Sequence, residues 1–333
     1  MTERIRVGTR RSPLALAQTT QFVEKLCAYH DWDRACVEIV GLSTKGDEIL
    51  DRSLTEIGGK GLFTQELEHG LLNDELDFAV HSLKDLPTQM PDGLTLGCIP
   101  EREDPLDVLI TASTPNQGQM AGGLNVLTKG AVLGSASLRR IAQIKAARPD
   151  IIARPLRGNI ATRITKLSGE GPDGPQATLL AAAGLNRMRR ADPDFDAAIQ
   201  MTNGAALHYE PLSPEVMLPA PGQGALGIQC RPGDDVMLER LQPLDCRLTR
   251  AAVVAERAYL AGLEGSCRTP IAALATMRGD QLELQAKLLA VDGSECHAVV
   301  ASAPLADAHD LGHEAAAAAR AEKPHLLPQS AKG

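Results

Sequence analysis

One cysteine and one aspartate stand where chemistry is possible, and a run of arginines stands where an anion would bind. Cys267 lies in LEGSCRTP (263–270), with Gly265 and Ser266 before it and Arg268 and Pro270 after it. Glycine and proline on both sides predict a loop and an accessible thiol. Arg268 favours the thiolate, below the unperturbed pKa of about 8.5. Cys267 therefore reads either as a nucleophile or as a loop thiol without a role, since no histidine motif stands near it to complete a Cys–His pair. Asp85 stands beside Lys84 in the run HSLKDLP (81–87). At the end of a strand in an α/β domain, such a carboxylate is a functional group or the cap of the turn before Pro87. From Arg139 to Lys166 there are eight basic residues against Asp150 alone, within a chain of net charge −8. A basic island in an acidic chain points to a localised polyanion site, or to a solvated basic face.

Other signals carry less. Gly222, Gly224 and Gly227 match GxGxxG, but Pro219 and Pro221 precede them and a strand-like run follows. A dinucleotide fingerprint requires the opposite order, strand then helix. GGKG (58–61) lacks the spacing and the Ser/Thr of a phosphate loop. His309 and His313 share a helix face and read as solvated. The seven cysteines are scattered without a CxxC pair, which predicts reduced thiols, no structural zinc and an intracellular setting. Cys27, Cys36, Cys98 and Cys230 lie among apolar residues and read as core fillers. Aromatic residues are only 2%, which weakens a nucleic-acid reading and leaves Leu, Val, Ile and Ala to build the core. No targeting segment and no membrane span is expected.

The elements that must position these residues alternate. Arg4–Thr9 reads as a strand. Ser12 caps a helix opened by Pro13 and running to Tyr29. Cys36–Ser43 reads as a strand, Phe63–Leu72 as a helix and Asp77–His81 as the strand that delivers Lys84 and Asp85. A second α/β run follows: Val108–Thr111, Ala131–Gly134, a helix capped by Ser137 and ending near Arg148, Ile151–Leu156, and a helix capped by Asn159. After the helix Cys246–Leu263 the period changes to two, over Ile271–Met277, Gln281–Ala290 and Glu295–Ala301, with hairpin signals at Gly279-Asp280 and Asp292-Gly293. An alanine-rich helix covers Ala306–Ala321.

Nine blocks in order strongly resemble the hydroxymethylbilane synthase (porphobilinogen deaminase) family. They are GTRRSPLALAQ (8–18), GGKGLF (58–63), HSLKDLP (81–87), EREDPLD (101–107), GSASLRR (134–140), RGNIATR (157–163), AGLNR (183–187), LPAPGQGALGIQCR (218–231) and LEGSCRTP (263–270). The resemblance covers residues 5 to about 301. It implies an α/β fold class: two doubly wound domains like those of periplasmic binding proteins, with a cleft between them, plus a small α+β C-terminal domain. The expected boundaries are 1–100 with 224–243, 105–218 and 246–322, with 323–333 a tail.

The resemblance implies a reaction as well. Four porphobilinogen molecules are condensed with loss of ammonia, each through an azafulvene, and water releases linear 1-hydroxymethylbilane. The chain grows on a dipyrromethane cofactor held by a thioether, and Cys267 matches the cofactor cysteine. Asp85 matches the catalytic acid. Lys84, Ser135, Ser137, Arg139, Arg140, Arg163 and Arg187 match cofactor-binding positions. Arg10, Ser12, Arg157, Lys60 and Phe63 match substrate-binding ones. Arginine forks suit the acetate and propionate of every pyrrole. A cytoplasmic monomer with no nucleic-acid or membrane partner is expected, and Asp47–Gly61 is expected to act as a lid. The sequence departs from the family at Pro175-Gln176, where an aromatic–acidic pair is common, and at Ala136, where a hydroxyl is common. An anion-binding solute or effector module on the same scaffold is the alternative, but such a module would need neither Cys267 nor Asp85.

Overall fold

The computed structural model describes residues 4–44, 46, 61–112, 122–167, 174–203, 207–265 and 269–327. Cys267, Lys60 and residues 47–60 of the expected lid lie outside the described residues. The chain divides into two compact units, Met1–Glu103 with Gly224–Arg250, and Asp104–Gln223 with Ala251–Gly333.

The first unit is built on a mixed sheet of β1 (Ile5–Arg10), β2 (Val37–Leu42), β3 (Phe78–Ser82), β4 (Thr95–Cys98) and β10 (Leu226–Cys230), in the order β2-β1-β3-β10-β4. β1 runs parallel to β2 and β3, and β10 is antiparallel to both its neighbours. Helix α1 (Pro13–His30) starts where the sequence requires: Ser12 is extended and its Oγ accepts the Ala15 N–H at 3.3 Å, with Pro13 in the first turn. It stops at Asp31, whose left-handed φ of 54° sends its N–H back to the Cys27 carbonyl. Its buried stripe, Phe22, Val23 and Leu26, packs on the sheet, with the Phe22 ring edge-on to Phe78 at 5.9 Å. Beyond the helix the chain's single tryptophan, Trp32, stacks on His30 at 4.4 Å and lies under the Arg240 guanidinium. Helix α2 (Gln65–Leu72) buries Leu67 and Leu71. Cys27, Cys98 and Cys230 are buried fillers as expected, whereas Cys36 is only half-buried because it ends a short 3-10 turn.

The second unit repeats the pattern. β5 (Asp107–Thr111), β6 (Val132–Gly134), β7 (Ile152–Arg154), β8 (Ala177–Ala181) and β9 (His208–Leu212) are ordered β7-β6-β8-β5-β9, with β6 parallel to β7 and β8 and β5 antiparallel to its neighbours. In each sheet the antiparallel insert is the strand that enters after the chain has passed from the other unit: β5 after 103, β10 after 223. Both are mixed, doubly wound sheets of five strands. Helices α3 (Leu138–Ala147), α4 (Ile160–Thr165), α5 (Ala182–Ala191) and α6 (Phe195–Asn203) follow strands of the second sheet or each other, and α7 (Asp235–Leu241) follows β10.

The remaining sheet is an antiparallel meander of β11 (Ile271–Arg278), β12 (Gln281–Leu289) and β13 (Cys296–Pro304), preceded by α8 (Arg247–Gly262) and followed by α9 (Ala308–Glu322). β12 buries alternate residues, Leu282, Leu284, Ala286 and Leu288, as its period-two pattern predicts. The helices approach closely because small residues face each other. A side chain at Gly312 would strike the Ala255 carbonyl.

Candidate active site

The candidate residues fall into two sets, one in each unit. In the first unit, β3 runs out into a 3-10 turn at Leu83–Asp85. Leu83 is fully buried and pins the turn, which leaves Lys84 and Asp85 exposed on its outer side. Arg10 ends the adjacent strand β1, and its Nη1 lies 3.9 Å from Asp85 Oδ2. The Arg10 guanidinium sits 4.3 Å above the Phe63 ring, a cation–π contact that holds it in place. The Phe63 ring in turn fills the space where a side chain on residue 46 would stand, so Gly46 is required there. Three residues distant in sequence, Arg10, Phe63 and Asp85, are thus brought together. Ser12 serves as the N-cap of α1.

Sequence reasoning missed His81, one strand residue short of the turn. It is 5% exposed and its Nε2 has no hydrogen-bond partner. Burial pushes its pKa down to about 4, opposed by the neighbouring Gln229 amide and helped by Arg10. The folded protein therefore resists a proton that the unfolded chain accepts near the ordinary value of 6.5. This contribution to stability is complete above that value and declines as pH falls from about 6.5 to about 4, reaching a loss of about 3 kcal/mol. Denaturant titrations across this range should show the decline. His81→Gln should flatten it, and equal slopes in parent and variant would exclude His81 as its source.

In the second unit, β6 leads into α3. Ser135 Oγ accepts the Ser137 N–H at 3.2 Å, and Ser137 Oγ caps the helix by accepting the Arg140 N–H at 3.4 Å. Arg139 and Arg140, on the first turn, are both buried against Asp107, the fully buried first residue of β5. Arg139 Nη1 donates to Asp107 Oδ2 at 2.7 Å and to the Leu218 carbonyl at 2.7 Å. Arg140 reaches Oδ1 through Nε and Nη2, at 3.1 and 2.6 Å, and the Leu179 carbonyl through Nη1 at 2.7 Å. Gln223 Nε2 adds a further donor to Oδ1 at 3.1 Å. Burial alone would raise the Asp107 pKa, but the two guanidiniums hold it well below the carboxylate range. Asp107 is the last residue of EREDPLD, and nothing in that local pattern marks it as the counter-ion of the arginines.

Arg163, on α4, donates through Nε to the Gly158 carbonyl at 2.7 Å, and no carboxylate among the described residues pairs with it. Burial lowers its pKa to about 10, and the nearby charges of Arg140 and Arg157 act in the same direction. Arg187, on α5, is 6% exposed, and burial likewise brings it to about 10. A buried cation whose protonation is disfavoured by burial and by neighbouring cations, as at Arg163, is stabilised by an anion. Removing the Asp107 carboxylate from between Arg139 and Arg140 should be severe. Asp107→Asn should destabilise the protein by about 3–5 kcal/mol, as breaking a buried ion pair does. Urea unfolding would measure this, and a change below about 1 kcal/mol would show that the arginines do not depend on Asp107.

Among the described residues no group of His, Cys, Asp or Glu is arranged to hold a metal ion, and no helix is long and apolar enough to cross a membrane. His309 and His313 stack on the exposed side of α9.

Two family models match the chain: the porphobilinogen deaminase dipyromethane cofactor binding domain over residues 5–239 and the porphobilinogen deaminase C-terminal domain over 250–321. The porphobilinogen deaminase of Paracoccus denitrificans (strain Pd 1222) is 43% identical over 321 residues, 96% of this chain and 95% of that one. That of Bacillus pumilus (strain SAFR-032) is 44% identical over 290 residues, 87% and 85% of the two chains. Among solved structures, the GacH receptor of Streptomyces glaucescens matches with a TM-score of 0.38 and 8% identity, covering 75% of this chain and 78% of that one, too distant to bear on the site.

Proposed function

The chain belongs to the porphobilinogen deaminase family, and from that premise we propose that Asp85 is its catalytic carboxylate, that Cys267 anchors its cofactor, and that the arginines of the second unit hold the carboxylates of cofactor and growing product. The activity is that of a hydroxymethylbilane synthase, a transferase that condenses porphobilinogen into the linear tetrapyrrole of the heme pathway. Its cofactor is dipyrromethane.

The single observation that supports the site assignment is the buried charge of Arg163. With Arg140 and Arg157 beside it and no carboxylate among the described residues paired to it, Arg163 suits a ligand that brings several carboxylates, as each pyrrole does. The residues therefore fit the group. When bound, dipyrromethane supplies a pyrrole carbon to which successive substrates are joined. The protein's own part divides by residue. Arg140, Arg157, Arg163 and Arg187 bind and orient carboxylates, and Arg139 contributes from its place beside Asp107. Ser135 and Ser137 order the turn that presents the first helix turn of α3. Lys84 adds a cation beside the carboxylate, and Ser12 fixes the start of α1 behind Arg10. Arg10, stacked on Phe63, holds a substrate carboxylate near Asp85, and Lys60 adds a further cation. Asp85 accepts a pyrrole N–H and stabilises the positive charge that builds on the ring as ammonia departs. The same proposal divides the chain at 105–218 and 246–322 and puts the enzyme in the cytoplasm as a monomer without nucleic-acid or membrane partners.

The test of the arginine role is substitution. Arg157→Leu and Arg163→Leu should each weaken carboxylate binding by about tenfold to a hundredfold, the equivalent of one charge-assisted contact. The lysine variants should recover only part, because an ammonium lacks the fork. Parental KM and kcat in both leucine variants would refute the assignment.

A further inference from the structure

The C-terminal sheet is seated on the helix that carries Arg139 and Arg140. The turn between β12 and β13 lies on the backbone of α3. Gly293 has a φ of 76°, and a Cβ there would come within 2.5 Å of the Ala146 nitrogen and 2.6 Å of the Ala142 oxygen. Only glycine satisfies both the left-handed backbone and the approach. A second tie runs through Leu218. Its carbonyl accepts from Arg139 and, at 3.0 Å, from Gln143 Nε2, while its N–H donates to Gln143 Oε1 at 2.9 Å. The Leu218 side chain is buried with Ala272 and Leu274 of β11, and the Pro219 carbonyl accepts the Ala273 N–H at 3.0 Å. The third tie is Glu256 of α8, fully buried, whose Oε2 accepts the Gly222 N–H at 2.6 Å and whose Oε1 accepts the Ala275 N–H at 2.9 Å.

The second and third ties meet on β11, which begins four residues after Cys267, and the first holds the far turn of β12, the strand paired with β11. We propose that Gly293 and Glu256 are positioning residues that hold the strand following the cofactor cysteine at a fixed place relative to Arg139, Arg140 and Asp107. The inference rests on the reading of Cys267 as the anchor. β11 and the arginines then form one body, and each condensation occurs without this frame shifting beneath the carboxylates already bound. Misplacement by about 1 Å is enough to slow a positioned reaction about a hundredfold.

The fold supplies its own control. Gly279, at the tip of the hairpin between β11 and β12, has a φ of 64°, and the place a Cβ would occupy there has nothing within 4 Å. Gly279→Ala therefore introduces the same left-handed strain without pressing on α3. Both Gly279→Ala and Gly293→Ala should lower the melting temperature and still carry the dipyrromethane mass. Only Gly293→Ala should lose turnover, by roughly tenfold to a hundredfold in kcat with KM little changed. Equal kcat in the two loaded variants would overturn the proposal. Should Gly293→Ala not fold, Glu256→Gln decides by the same kcat and KM comparison, and parental kcat there overturns it. A parent protein that carries no adduct would fail the anchor reading itself, and the proposal with it, a result seen before any variant is made.

Discussion

Cys267→Ala should give a folded protein at its unmodified mass, with no dipyrromethane adduct and no turnover. The effect is expected to be total because a thioether cannot form without the sulfur, and every later bond is built outward from it. The surroundings favour a local loss. On the N-terminal side, Glu264 follows α8 with a left-handed φ of 52°, and the Gly265 N–H returns to the Leu260 carbonyl. On the C-terminal side, Thr269 and Pro270 are buried, and the Pro270 carbonyl accepts the Leu289 N–H at 3.1 Å. Both ends of the segment are fixed by residues other than Cys267, so its substitution should leave the fold intact. Intact-mass spectrometry of parent and variant is the measurement. A variant that retained the mass of two linked pyrroles would assign the anchor elsewhere.

Asp85→Asn should leave binding nearly unchanged and slow turnover by roughly a thousandfold or more, as loss of electrostatic stabilisation does. Asparagine keeps the shape and one acceptor but removes the charge that faces a cationic ring. The geometry separates this from a structural effect. Asp85 sits on a turn secured by buried Leu83, and its side chain is about one-third exposed with Arg10 at 3.9 Å. An exposed turn carboxylate contributes little to stability, so the melting temperature should hardly move. Asp85→Glu should keep partial activity, with its charge displaced by a methylene. Single-turnover kinetics on cofactor-loaded protein distinguish the readings. A full-speed asparagine variant would mean that Asp85 only caps its turn.

Much of the framework was legible because local chemistry and tertiary demand agree. Ser12-Pro13 set the start of α1 to the residue, and the period-two runs after Gly265 became β11, β12 and β13 with boundaries moved by at most three residues. The helix read from Phe63 begins at Gln65, because residues 61–64 form turns that lay the Phe63 ring under Arg10. β4 and β9 were not read: one is a four-residue strand and the other contains Pro211, and both exist through pairing with β10 and β5 from distant sequence. The same distance hid the inner workings of the site. Motifs marked Arg139, Arg140 and Asp85, but the Asp107 counter-ion and the neutral His81 depend on which strands become neighbours, and no local pattern records that. The Asp107 case changes the picture most, since two arginines assigned to ligand alone prove to share a buried carboxylate of the protein.

The stacked pair of Trp32 and His30 has a practical consequence. With one tryptophan in the chain, indole fluorescence is a beacon for the first unit only, dimmed or brightened by whatever happens to the imidazole 4.4 Å away and the guanidinium above it. An unfolding curve recorded at that wavelength follows one half of the molecule. Circular dichroism, which counts helices in both, follows the whole. If the two curves separate, the gap between them measures how far the arginine-bearing half outlives, or is outlived by, the half that carries Asp85.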